Sequence, residues 1–142
     1  MKKTLLSLLA ATLLFTSSAT ILSANQADKA AKPFLIQGKL PHLTMMVKIL
    51  WNDKDLALTK EQQTELIKIR KHTVSSANAL KLQIVKLENE VVKRSKEGSK
   101  PATLKTLVDE IASLRAKATM IHLECIYNTR TVLSEEQLYI LE

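Results

Sequence analysis

Two apolar seams, each stepping by three and four residues and separated by one short break, constrain this 142-residue chain more than any other feature. The first runs through Leu66, Ile69, Thr73, Ala77, Leu80, Ile84, Leu87 and Val91. It slips once, between Thr73 and Ala77, where "SSANA" supplies small side chains. The second runs through Leu104, Leu107, Ile111, Leu114, Ala118, Ile121, Cys125, Asn128 and Val132 without error. That spacing places one stripe of each segment on one face of an α-helix. Between them lies "KEGSKP", with Gly98 for a helix exit and Pro101 for the next first turn. The pattern predicts helices from Thr59 to about Lys96 and from Pro101 to about Val132, about 57 and 48 Å long at a rise of ~1.5 Å per residue. A short connection makes such helices antiparallel neighbours. The expected fold is all-α, a long antiparallel helical hairpin with short flanking helices. Val74, Val85, Val92, Val108, Ala112, Leu123 and Ile126 fall off the seams. A single hairpin cannot cover them, so a second subunit is expected.

The flanking helices are marked by a repeated pentad. "LTKEQ" at 58–62 and "LSEEQ" at 133–137 both place a hydroxyl residue three positions before Gln. This is a capping box, in which Thr59 with Gln62, and Ser134 with Gln137, satisfy free amides at a helix start. Leu133 and Leu138 also stand at the positions of a hydrophobic staple. Upstream, "PHLTMMVKILW" places Leu43, Met46, Val47 and Leu50 on one face of a short helix, with Pro41 near its first turn. "NDKD" ends it.

The first 24 residues have the charged, apolar and small-residue order of a secretory signal peptide: Lys2 and Lys3, then "TLLSLLAATLLF", then "TSSATILSA". Cleavage after Ala19 or Ala24 is expected, leaving a soluble exported chain without a stable membrane span. Residues 25–40 have no sustained period and contain Pro33 and Gly38, so they read as a flexible lead-in with one sticky patch, "PFLI". Residues 41–142 form the helical domain. Removing the two leader lysines lowers the formal charge from +7 to +5. Export argues against a nucleic-acid partner. Positive charge outside the cytoplasm instead suits acidic unfolded chains or an anionic membrane surface. Cys125 is the only cysteine, so no internal disulfide can form, and burial is its expected fate.

Catalytic patterns are missing. With only Gly38 and Gly98 there is no glycine-rich phosphate loop, and neither a His-Glu-x-x-His motif nor a nucleophile elbow is present. The acidic residues stand among lysines, as in "KLENEVVKR", where Glu90 can pair with Arg94. An enzyme is the class least supported.

An exported leader, a Met-rich first helix, "LALTKEQQTELIKIRK", a long hairpin and a closing "VLSEEQ" together resemble the Spy/CpxP family of periplasmic stress proteins, whose hallmark is a paired Leu-Thr-x-x-Gln motif. The likeness covers roughly residues 40–142. Leu58, Thr59 and Gln62 match the first motif fully. Leu133, Ser134 and Gln137 match the second, with Ser in place of Thr, and the chain stops five residues after Gln137. The resemblance implies a cradle-shaped antiparallel dimer. It further implies an ATP-independent chaperone for unfolded or misfolded envelope proteins, or a modulator acting with a sensor kinase or anti-sigma factor. Some relatives bind or sense heavy metals.

Two functions therefore compete. For a periplasmic chaperone the expected client surface is the helix-1 face of His42, Met45 and Ile49, with Lys48, Lys68 and Lys71 raising encounter rates with acidic chains. No cofactor is then required. For a metal sensor or metal-resistance accessory protein the candidate ligands are His42, His122 and Cys125. His122 and Cys125 stand at i, i+3, and imidazole with thiolate suits zinc, copper or nickel. His42 and His122 are also the positions that the metal-binding relatives imply. His72 is expected on the side of the hairpin away from His122.

Overall fold

The computed structural model describes residues 32–141. The signal peptide assigned to residues 1–24 lies outside that range. Among the described residues the domain is all-α, with four helices and no strand: α1 (Leu43–Ile49), α2 (Lys60–Lys96), α3 (Pro101–Val132) and α4 (Glu135–Leu141).

α2 begins where the capping box places it. The Thr59 hydroxyl accepts from the Gln62 amide at 3.1 Å, and the Gln62 side chain accepts from the Thr59 amide at 3.0 Å. It ends at Gly98, whose φ of 81° sits in the left-handed region that favours glycine. There the Ser99 amide donates to the Arg94 carbonyl at 3.0 Å, closing the last turn. Pro101 then opens α3 at its first position, where a missing N–H loses nothing.

α2 and α3 pack along their length. Arg94 reaches the Thr103 carbonyl, Glu88 pairs with Arg115, and Gln62 reaches the Val132 carbonyl. Residue numbers therefore rise in one helix as they fall in the other. Every seam position is buried or half-buried, with Leu66, Ile84, Leu104, Leu114, Ala118 and Cys125 the most enclosed. Each large apolar side chain so buried contributes about 1.5–3 kcal/mol relative to exposure. Of the off-seam residues, Val74, Val92, Val108 and Leu123 stay exposed, whereas Val85 and Ile126 are half-buried.

Away from Gly98, α1 and α4 build a second layer. Val47, Leu56, Leu66, Leu133 and Leu141 form a common core, flanked by Met46, Leu50, Trp51, Leu58, Val132 and Leu138. The "NDKD" segment reaches this core through a local turn. The Asp53 carboxylate accepts from the amides of Asp55 and Leu56 at 2.9 and 3.0 Å, which aims Leu56 inward. Among the described residues no helix is long and apolar enough to cross a membrane.

Candidate functional site

The two pentads meet. Gln62 Nε2 donates to Gln137 Oε1 at 2.8 Å, and Gln137 Nε2 donates back to Gln62 Oε1 at 3.1 Å. The second proton of each amide also has a partner. Gln62 donates to the Val132 carbonyl at 2.9 Å, and Gln137 to the Leu56 carbonyl at 2.8 Å. Each side-chain oxygen additionally accepts from the cap residue of its own box, Thr59 or Ser134, at 3.0 Å. Each Gln thus starts its own helix and ties it to the other. The capping pattern was legible in sequence. The pairing across 75 residues was not, because either box is complete without it.

Beside this clasp a cleft of about 410 Å³ opens between α1 and α2, lined by Thr44, Val47, Lys48, Trp51, Leu66, Ile67 and Arg70. Its walls are mostly apolar, and Lys48 and Arg70 are its cations. Of the proposed client-binding residues, Lys48 lines the cleft. Met45 is 45% exposed and Ile49 72% exposed. Arg70 donates from Nη2 to the Met45 sulfur at 3.8 Å. Lys68 pairs with Glu65 on the open surface, and Lys71 is exposed. Trp51, Ile67 and Arg70 had no distinguishing signal in the sequence, since their role depends on where α1 crosses α2.

His42 is exposed, like Met45, and also meets α3. Its ring stacks on His122 with centroids 4.7 Å apart and planes 17° apart, and Phe34 lies on His122 with centroids 5.0 Å apart. A cavity of about 170 Å³ beside them is lined in part by Met45, Arg70, Thr73, Asn78 and Cys125. His122 and Cys125 are buried, and the Thr44 hydroxyl lies 3.8 Å from the Cys125 sulfur. The Nδ1 atom of His122 is buried without a partner. Burial, then the neighbouring His42, lower the pKa of His122, and a hydrogen bond to the Pro41 carbonyl opposes them. The neutral ring is the form that fits, because a proton on Nδ1 would find no acceptor.

The structure brings the metal candidates His42, His122 and Cys125 to one cavity. The two imidazoles, however, meet face to face rather than through converging lone pairs. Among the described residues no three His, Cys, Asp or Glu side chains are placed to hold a metal ion. His72 is exposed and does not line this cavity. Compared with family models, curated proteins and solved structures, the chain shows no match.

Proposed function

We propose that this protein is a periplasmic, ATP-independent chaperone or envelope-stress modulator, working as a cradle-like antiparallel dimer of long helical hairpins. The observation that carries the reading is the apolar cleft between α1 and α2. It has Lys48 and Arg70 among its walls and exposed Met45 and Ile49 beside it. Flexible methionine and aliphatic surface suits varied apolar partners, and the cations speed encounter with acidic chains. The off-seam side chains Val74, Val92 and Val108 give the dimer its motive. Unfolded envelope proteins are the proposed clients, and a sensor kinase or anti-sigma factor the proposed signalling partner.

Suppression of light scattering from a denatured model client, without nucleotide, tests the reading. Wild-type protein should suppress scattering, and Met45→Glu should impair suppression while circular dichroism stays unchanged. Added salt should slow capture without abolishing it, because screening weakens steering and leaves apolar burial in place. Light scattering of the protein alone should report a dimer at micromolar concentration. No suppression by wild type would transfer the argument to transition-metal binding at His42 and His122, to be read by calorimetry with zinc, copper and nickel.

A further inference from the structure

Residues 32–36 lie on α3 in the manner of a bound peptide. Arg115 Nη1 donates to the Lys32 carbonyl at 2.7 Å, and the Leu35 amide donates to the Thr119 hydroxyl at 2.8 Å. Pro33 is buried and Phe34 half-buried on His122, whereas Leu35 and Ile36 face outward, 57% and 42% exposed. The receiving groups are fixed from behind. Thr119 donates its own proton to the Arg115 carbonyl at 2.8 Å, which leaves its lone pairs for an incoming amide. Arg115 uses Nη2 on Glu88 at 2.5 Å and so presents Nη1 to a carbonyl. The strap's partners Arg115, Thr119 and His122 all lie on α3, with Glu88 of α2 behind Arg115 and His42 stacked on His122.

We propose that this face of α3 is a binding groove for extended apolar peptide, and that residues 32–36 occupy it in cis as an intramolecular competitor. The two polar contacts are to main-chain atoms of the strap, and every peptide carries an N–H and a C=O. Only the Pro33–Phe34 pair is selected by its side chains. The partner is therefore an extended segment of another protein with an apolar pair, preferably prolyl-aromatic, inserted against His122. A tethered segment competes at an effective concentration on the order of millimolar, so the groove is masked until the strap is weakened or outcompeted. The inference does not require the chaperone reading: a groove of this kind can bind peptide in a protein that suppresses no aggregation.

Fluorescence anisotropy tests it with a labelled peptide of sequence KPFLIQ, residues 32–37 of this chain, added to the full mature protein. Phe34→Ala removes the strap's anchor, and Leu35→Pro removes the amide that Thr119 accepts. Either variant should bind the peptide at least tenfold more tightly than wild type. Adding Thr119→Val or Arg115→Gln to a strap variant should remove that gain. In wild-type protein, saturating peptide should accelerate hydrogen exchange at the Leu35 amide, a readout that needs no variant to fold. Three results would overturn the proposal. One is a folded strap variant that binds no tighter than wild type. Another is equal binding of a peptide with the Pro-Phe pair replaced by Gly-Ser. The third is a wild-type protein that self-associates and loses that association in Phe34→Ala, which would assign the groove to the strap of a second copy.

Discussion

The two ends of the α2–α3 pair are built differently. At the pentad end, four helices converge on Leu56, Val47 and Leu141, each almost completely enclosed, and the reciprocal Gln62–Gln137 amides complete the join. At the Gly98 end only two helices meet. Leu104 is buried there, but Val92 and Val108 remain about half exposed, and Arg94 makes only a long 3.4 Å contact with the Thr103 carbonyl. One end has a core with two layers and the other has a single seam. Cooperative stability should therefore concentrate at the pentad end, and local opening should begin near Gly98.

Truncation of matched leucines gives the largest test of that asymmetry. Leu56→Ala should destabilise the protein by about 3–5 kcal/mol, because the site is fully enclosed and hemmed in by several elements. Leu104→Ala should remain nearer ~2 kcal/mol, since its single-layer surroundings can relax. Urea midpoints for the two variants decide it. A Leu104→Ala loss equal to that of Leu56→Ala would mean that both ends share one core.

The amide clasp comes next. Gln137→Ala deprives the Leu56 carbonyl and the Gln62 side chain of partners, at about 1 kcal/mol or more per group left unpaired, so ~2–3 kcal/mol in all. Gln62→Ala should match it, with the Val132 carbonyl in place of Leu56. Because the two residues share one pair of bonds, the double variant should lose less than the sum, by about 1–2 kcal/mol in a double-mutant cycle. Additive losses would show that each Gln serves only its own helix start.

How much of this was readable beforehand follows from the distance over which each feature is determined. The seams, the caps and the break at Gly98 are set by residues three or four apart, and α2 and α3 fall where that spacing puts them. The burial of Cys125 follows from its seam position. The Gln62–Gln137 pairing, the cleft at Trp51 and Ile67, and the stack of His42 on His122 depend on how the flanks fold back on the helix pair. No local period records that. His42 shows the limit: helical spacing grouped it with Met45 and Ile49, all three exposed, but could not show that its ring also stacks on His122 of α3. The strap shows another. "PFLI" was legible as adhesive, while its receptor on Arg115 and Thr119 had the look of an ordinary helix surface.

Between the two ends, His122 makes stability depend on pH. Its pKa is lowered in the folded protein from an unfolded value near 6.5, by burial first and then by His42. The unfolded chain therefore binds a proton more readily than the folded one. This contribution to stability is present above about 6.5 and is lost as pH falls through the unfolded and then the lower folded value. Arg70 lines the neighbouring cavity and adds no acceptor for the new charge. Urea midpoints should fall between pH 7.5 and 5, and His122→Phe should flatten that slope. An unchanged slope would assign the acid sensitivity to other groups.

The smallest effects compare two backbone positions, one at each end. Gly98 and Ala57 both have positive φ, 81° and 41°. Only at Gly98 does the residue type suit the conformation. No atom would meet an added Cβ there, so Gly98→Ala should lose only the left-handed backbone preference less what alanine saves in the unfolded chain, about 1 kcal/mol. Ala57 lies between core residue Leu56 and pentad residue Leu58, and its amide donates to the Asp53 carbonyl at 3.1 Å. The turn places the Leu56 carbonyl against Gln137 and so holds Ala57 in a region that L-residues populate at a penalty of roughly 1–2 kcal/mol. Glycine removes that penalty but gives the unfolded chain more freedom to lose. Ala57→Gly should thus stabilise by up to about 1 kcal/mol, opposite in sign to Gly98→Ala. The sign is the test. Destabilisation at both positions would mean that the pentad-end turn relaxes to negative φ in solution, and the Leu56–Gln137 bond should then weaken with it, visible as faster exchange of the Gln137 side-chain amide.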